Sequence, residues 1–139
     1  MRDNLYLENQ LNYLWEIYFS EVPRYNKINI KFGRSCRKRL GSIREKRSDD
    51  NLNDFSTLIL INGHFKDDYV PDFVIDATIV HELCHYAHGF ASPLPMLNSY
   101  PHRGGIIDNE LKKRGLEELS GLEQSWLHRK WIAYINKKQ

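Results

Sequence analysis

The sequence predicts an α+β fold. A small three-stranded sheet, antiparallel or mixed, packs against one apolar helix that carries His81-Glu82-Leu83-Cys84-His85, and N-terminal and C-terminal helices flank it. Three observations support this. Both ends of the chain carry apolar residues at helical spacing. Residues 28–61 contain short alternating or fully apolar runs typical of strands. Val74 to Ala87 is long, apolar-rich and bounded by Pro71 on one side and Gly89 on the other. At 139 residues the chain is read as one domain, 1–139, long enough to bury a core.

Residues 4–22 predict an amphipathic helix, because Leu7, Leu11, Leu14, Trp15, Tyr18 and Val22 recur at helical intervals. Asp3 or Asn4 is suited to cap it, and Pro23 stops it. Ile28, Ile30 and Phe32 alternate with polar residues, which predicts a half-buried strand. Residues 33–39 read as a turn or irregular connection, and Leu40 to Glu45 as a second strand. Residues 48–54 are polar and turn-rich, so a loop is expected there. Thr57-Leu58-Ile59-Leu60-Ile61 is apolar on both sides, which predicts the central strand. Asn62-Gly63 begins the connection to the motif helix, opened by Pro71 and Asp72 and ended by Gly89.

After Gly89, three prolines between residues 93 and 101 predict an irregular loop that walls a cleft. A further helix is expected from Gly104 or Gly105 to about Arg114, broken by Gly115. Ser120-Gly121-Leu122-Glu123 fits a capping box. It would open a last helix with Leu122, Trp126, Leu127, Trp131, Tyr134 and Ile135 inward.

The segment around His81 carries the chemistry. Positions i and i+4 lie one turn apart on one helix face, so His81 and His85 can aim two imidazoles at one ion. A catalytic zinc takes three protein ligands and keeps a fourth position open for water, and Glu82 is placed to take a proton from that water. Two imidazoles and a carboxylate are costly to bury in an apolar helix without a partner, which weighs against a plain core helix. Cys84 projects about 80° from the line midway between the histidines, so packing as a small hydrophobe is expected of it. With Cys36 it makes two cysteines, too few for a disulfide framework.

The net charge of +2 conceals an asymmetry. Ten basic residues and one acid lie between Arg24 and Arg47, which gives that segment +9 and leaves the rest of the chain −7. Arg34, Arg37, Lys38, Arg39, Arg44, Lys46 and Arg47 are the candidate contacts for a polyanion such as DNA. No apolar run approaches the roughly 20 residues that span a bilayer, and the first residues lack a signal-peptide core. These features predict a cytoplasmic protein with no membrane contact, and a monomer is expected.

The third ligand is open from spacing alone. A metzincin continuation fails, because His88 stands at its Gly position and Ala91 at its last His position. His88 follows His85 closely on roughly the same face. Glu110 would serve in a gluzincin arrangement, with Glu117 and Glu118 behind it. His102 follows the irregular loop.

The order of elements, the His81-to-His85 motif and Pro101-His102-Arg103-Gly104-Gly105-Ile106 together resemble the SprT family, which includes the Spartan-type DNA-dependent metalloproteases. His102 takes the histidine position of that family's His-Gly-x-x-aromatic motif, Ile106 takes the aromatic position, and Arg103 stands where Gly is expected. The resemblance implies one zinc ion held by His81, His85 and His102. It implies Glu82 as the catalytic residue, and as substrates proteins bound or crosslinked to single-stranded or damaged DNA. Tyr100, His88 and Arg103 are candidates to stabilise an oxyanion. No cysteine follows Cys84, so the zinc ribbon of some members is not expected. Two other readings stand beside this one: a small gluzincin-type peptidase using Glu110, and a metal-binding regulatory protein with one narrow protein substrate.

Overall fold

The computed structural model describes residues 1–49, 54–97 and 105–137. Helix α1 (Asn4–Tyr18) leads into strands β1 (Ile28–Phe32), β2 (Gly41–Arg47) and β3 (Phe55–Ile61). A 3-10 turn (Gly63–Lys66) precedes α2 (Asp72–Ala87). Helices α3 (Ile106–Lys113) and α4 (Glu117–Trp126) follow, then a π turn (Leu127–Trp131) and α5 (Ile132–Lys137). The fold is α+β with one mixed sheet in the order β1-β3-β2; β1 runs parallel and β2 antiparallel to β3. The apolar β3 is the central strand, as its sequence predicts. Among the described residues no helix is long and apolar enough to cross a membrane.

Register divides the sheet into two unlike faces. Ile30, Ile59 and Ile43 align across one face, with Phe32, Ile61 and Gly41 in the next row. The four isoleucines and Phe32 are buried with residues of α1 and α2 in the core cluster. The opposite face aligns Asn29, Leu58 and Arg44, then Lys31, Leu60 and Ser42, and pairs Ser56 with Lys46. Lys31, Arg44 and Lys46 on that face are exposed. A two-residue alternation in sequence thus becomes an apolar face and a basic face.

Asp3 caps α1, its carboxylate accepting from the Tyr6 N–H at 2.9 Å. The helix ends at Tyr18 rather than continuing to residue 22 as expected. The Phe19 N–H bonds to the Trp15 carbonyl and the Val22 N–H to the Phe19 carbonyl, a tightened exit that still buries Val22. The Trp15 indole N–H donates to the Val22 carbonyl at 3.1 Å and fastens that exit.

Helix α2 begins directly after Pro71 and ends at Ala87. Val74, Ile75, Ile79, Val80 and Leu83 are all at most 1% exposed, so the helix is enclosed on most sides. At about 1.5–3 kcal/mol for each fully buried aliphatic side chain, this burial outweighs local propensity in holding the motif in place. Gly89 takes φ 84°, the left-handed turn that reverses the chain after the helix.

The C-terminal region differs from expectation. Gly115, at φ 78°, ends α3, and the buried Leu116 becomes the residue preceding α4. The helix therefore starts at Glu117. Ser120 sits inside it, its N–H bonded to the Leu116 carbonyl, so the capping box does not form. The buried stripe is also rotated by one residue: Glu123 is buried, whereas Leu122 is 47% exposed. Trp126 and Trp131 both remain inward because the π turn adds a residue between them. Their ring centroids are 6.1 Å apart.

Candidate functional site

His81, Glu82 and His85 stand where the helical spacing predicts. The two imidazole centroids are 5.0 Å apart with planes at 69°. His81 is half-buried, and His85 and Glu82 are buried. Together they line a cavity of about 530 Å³ with Arg39, Phe90 and residues 41–44 of β2. Strand β2 is an edge of the sheet, so the cavity runs along a strand edge that, among the described residues, no other strand covers. Phe90, just past the Gly89 turn, supplies a wall, which agrees with the expected role of that loop's first residues.

Burial raises the Glu82 carboxyl to about 7, and the Arg39 guanidinium pulls it the other way. A carboxyl poised there can both accept and return a proton near neutral pH.

The donor set fits a divalent metal at two positions. Two imidazoles one helical turn apart, with a carboxylate beside them that is not needed as a ligand, match the nitrogen preference of zinc. Among the described residues no group of three or more His, Cys, Asp or Glu side chains is placed to hold a metal ion. His102, the expected third ligand, lies outside the described residues, as do Tyr100 and Arg103.

The alternative ligands are engaged elsewhere. Glu110 Oε1 lies 2.7 Å from His88 Nε2, and Arg114 Nε donates to Glu110 Oε2 at 2.9 Å. Burial favours protonation of Glu110, but the His88 hydrogen bond and the Arg114 charge outweigh it and hold the carboxyl below its ordinary range. His88 and Glu110 line a separate concavity with Ala87, Leu94 and Arg114. Glu117 and Glu118 are exposed. Cys84 is fully buried and packs in the core as expected, and burial pushes its thiol up to about 12.

No family model, curated protein or solved structure matches this chain. The site reading therefore rests on the residues and their geometry.

The basic segment is held by the buried side chain of Asn62. It donates to the carbonyls of Cys36 and Arg39 at 2.8 Å and accepts from the Cys36 N–H at 3.1 Å. This pins residues 36–39 beside the end of β3. Arg34, Arg39 and Arg44 join Lys31 around a concavity of about 540 Å³. Lys46 lies on the same sheet face as Arg44. The remaining candidates diverge. Arg37 reaches Asn136 at 3.3 Å, Lys38 lines a cavity with His81 and Glu82, and Arg47 pairs with Glu45 at 2.8 Å. Sequence reasoning counts Lys31 in the basic segment but not among the candidate contacts, although its place in an alternating strand puts it on the polar face. It also missed Glu123, which lines the cavity of His81 and Glu82.

Proposed function

We propose that this chain is a SprT-like zinc endopeptidase, with His81, His85 and His102 as ligands and Glu82 as the general base. The observation that carries this reading is the convergence of two imidazoles and a buried carboxyl on one cavity along the edge of β2. Zinc bound there would supply a Lewis acid that polarises a peptide carbonyl and acidifies a water molecule.

The rest follows from the chain's own groups. Glu82 accepts a proton from the attacking water and returns it to the amine leaving from the cleaved bond. Burial raises its proton affinity, which favours the accepting step. The β2 edge offers main-chain groups along which an extended substrate segment can lie. Arg39, beside Glu82, keeps part of that carboxyl population ionised, as a base must be.

Substrates associated with DNA are favoured by the position of the basic group. Arg39 borders both the concavity that holds Lys31, Arg34 and Arg44 and the cavity that holds Glu82. A nucleic acid strand on the outer sheet face would thus bring an attached protein towards the site. Incubating the protein with a DNA-binding protein substrate, with and without single-stranded DNA, tests this. Cleavage stimulated by DNA and absent in Glu82→Gln supports the full reading. Glu82-dependent cleavage indifferent to DNA retains the peptidase and removes the DNA role.

A further inference from the structure

The peptidase chemistry uses one carboxylate, and a second lines the neighbouring cavity that shares His81 and Glu82 with it. Glu123, from α4, is 6% exposed and lines a cavity of about 400 Å³ with Leu40, Gly41, Thr78, His81 and Glu82. Its Oε2 lies 2.9 Å from Thr78 Oγ1, and the same hydroxyl lies 2.8 Å from the Val74 carbonyl. One hydroxyl hydrogen serves only one of these acceptors at a time. When it goes to Val74, the Thr78–Glu123 contact needs a proton from Glu123. Burial lifts this carboxyl to about 7, with Thr78 working against the lift. Among the described residues no cation pairs with Glu123.

A desolvated carboxyl facing a cavity, with a shared hydroxyl as its partner, gains most from a cation carrying several N–H donors. Charge-assisted hydrogen bonds are about twice as strong as neutral ones. The cavity also has apolar wall at Leu40 and Gly41, which suits the methylene stem of a long basic side chain. Lys38 and Arg39 stand at the same cavity, but both are exposed, where solvent and salt screen their repulsion. Arg39 acts on Glu82, leaving Glu123 as the carboxyl without a compensating charge.

We propose that Glu123 is a specificity-determining residue that takes the guanidinium or ammonium of a substrate arginine or lysine into the cavity beside Glu82. The word substrate rests on the peptidase reading; the binding of the cation does not.

The experiment separates the two. Nα-acetylarginine amide and Nα-acetylnorleucine amide are titrated into the Glu82→Gln protein and followed by NMR chemical shifts. The arginine compound is expected to bind at least ten-fold more tightly, and that difference is expected to vanish in Glu82→Gln/Glu123→Gln. The glutamine keeps the side-chain length and can still bond Thr78, and circular dichroism checks its fold. Equal affinities, or a preference for arginine that survives Glu123→Gln, overturn the assignment. Lys38→Ala is expected to keep the preference; a preference that disappears with Lys38 places the selectivity at the rim and likewise overturns it. Cleavage of a peptide library by the wild-type chain gives the kinetic counterpart. Basic residues are expected at one position beside the cut, with kcat/KM for those peptides falling at least ten-fold in Glu123→Gln and little change for the others. If no peptide is cut, the peptidase reading fails while the amide titration still decides the role of Glu123.

Discussion

His88 Nε2 and Glu110 Oε1 lie 2.7 Å apart, tying the end of α2 to α3. Arg114 closes the arrangement, donating to Glu110 Oε2, to the Tyr18 carbonyl and to Glu21. The carboxylate that a gluzincin would offer to zinc is here a structural joint between three helices. Glu110→Ala is therefore expected to retain zinc while losing about 1–3 kcal/mol of stability, as a part-buried partner is left unsatisfied. His81→Ala, His85→Ala and His102→Ala are each expected to lose the metal. Zinc content of the four purified variants checks this, and zinc retained in His102→Ala but lost in Glu110→Ala would reverse the assignment.

Glu123 makes stability depend on pH. Its carboxyl lies at about 7 in the folded chain against an ordinary 4.5. Between those values the folded state keeps a proton that the unfolded state has lost, so stability falls as pH rises through this window. Below 4.5 the penalty is absent, and above 7 it is fully present. Glu123→Gln removes the titration and is expected to gain about 1–3 kcal/mol relative to wild type between pH 4.5 and 8. Urea midpoints of both proteins at the two pH values measure it; a constant gap would mean that Glu123 titrates normally.

The turn after α2 fixes where the cavity wall begins. Gly89 has φ 84°, and a Cβ there would stand 2.3 Å from the Pro95 carbonyl oxygen. Gly89→Ala combines left-handed strain with a backbone clash and is expected to cost about 2 kcal/mol or more. Thermal denaturation reports the loss. Activity should fall further than the folded fraction, because Phe90 is displaced from the cavity with the turn.

The outer sheet face gives a salt-dependent prediction. Replacing Arg39 and Arg44 with Ala is expected to weaken single-stranded DNA binding and to make its salt dependence shallower by about 0.7 per lost phosphate contact. Fluorescence anisotropy across a salt series measures both. Arg47→Ala, at a residue already paired with Glu45, should change the slope little. Equal effects of all three would indicate diffuse attraction rather than a defined face.

Much of the fold was legible because single periodicities decided it. Alternation found β1, the apolar run found β3 and its central place, and the four-residue spacing put His81 and His85 on one face. The misreadings came where a local signal met a stronger tertiary one. Ser120 to Glu123 has a capping pattern, but Gly115 ends α3 early enough for Glu117 to start the next helix, and Glu123 turns inward to Thr78. Leu122 fits an uninterrupted helical stripe, and only the π turn between Trp126 and Trp131 shifts the phase. The partnership of His88 with Glu110 joins residues 22 apart in sequence, a distance over which no periodicity carries information. The third expected ligand, His102, lies outside the described residues, so that part of the centre rests on the sequence.

The most direct measurement of the central claim compares cleavage of an unfolded protein by the zinc-loaded wild-type chain and by Glu82→Gln at equal zinc occupancy. Wild type is expected to cut, chelation to stop it and added zinc to restore it. Glu82→Gln is expected to retain zinc with turnover reduced by at least about 100-fold, through loss of a general base. Equal cleavage by the two proteins, or no cleavage by zinc-loaded wild type, would contradict that claim.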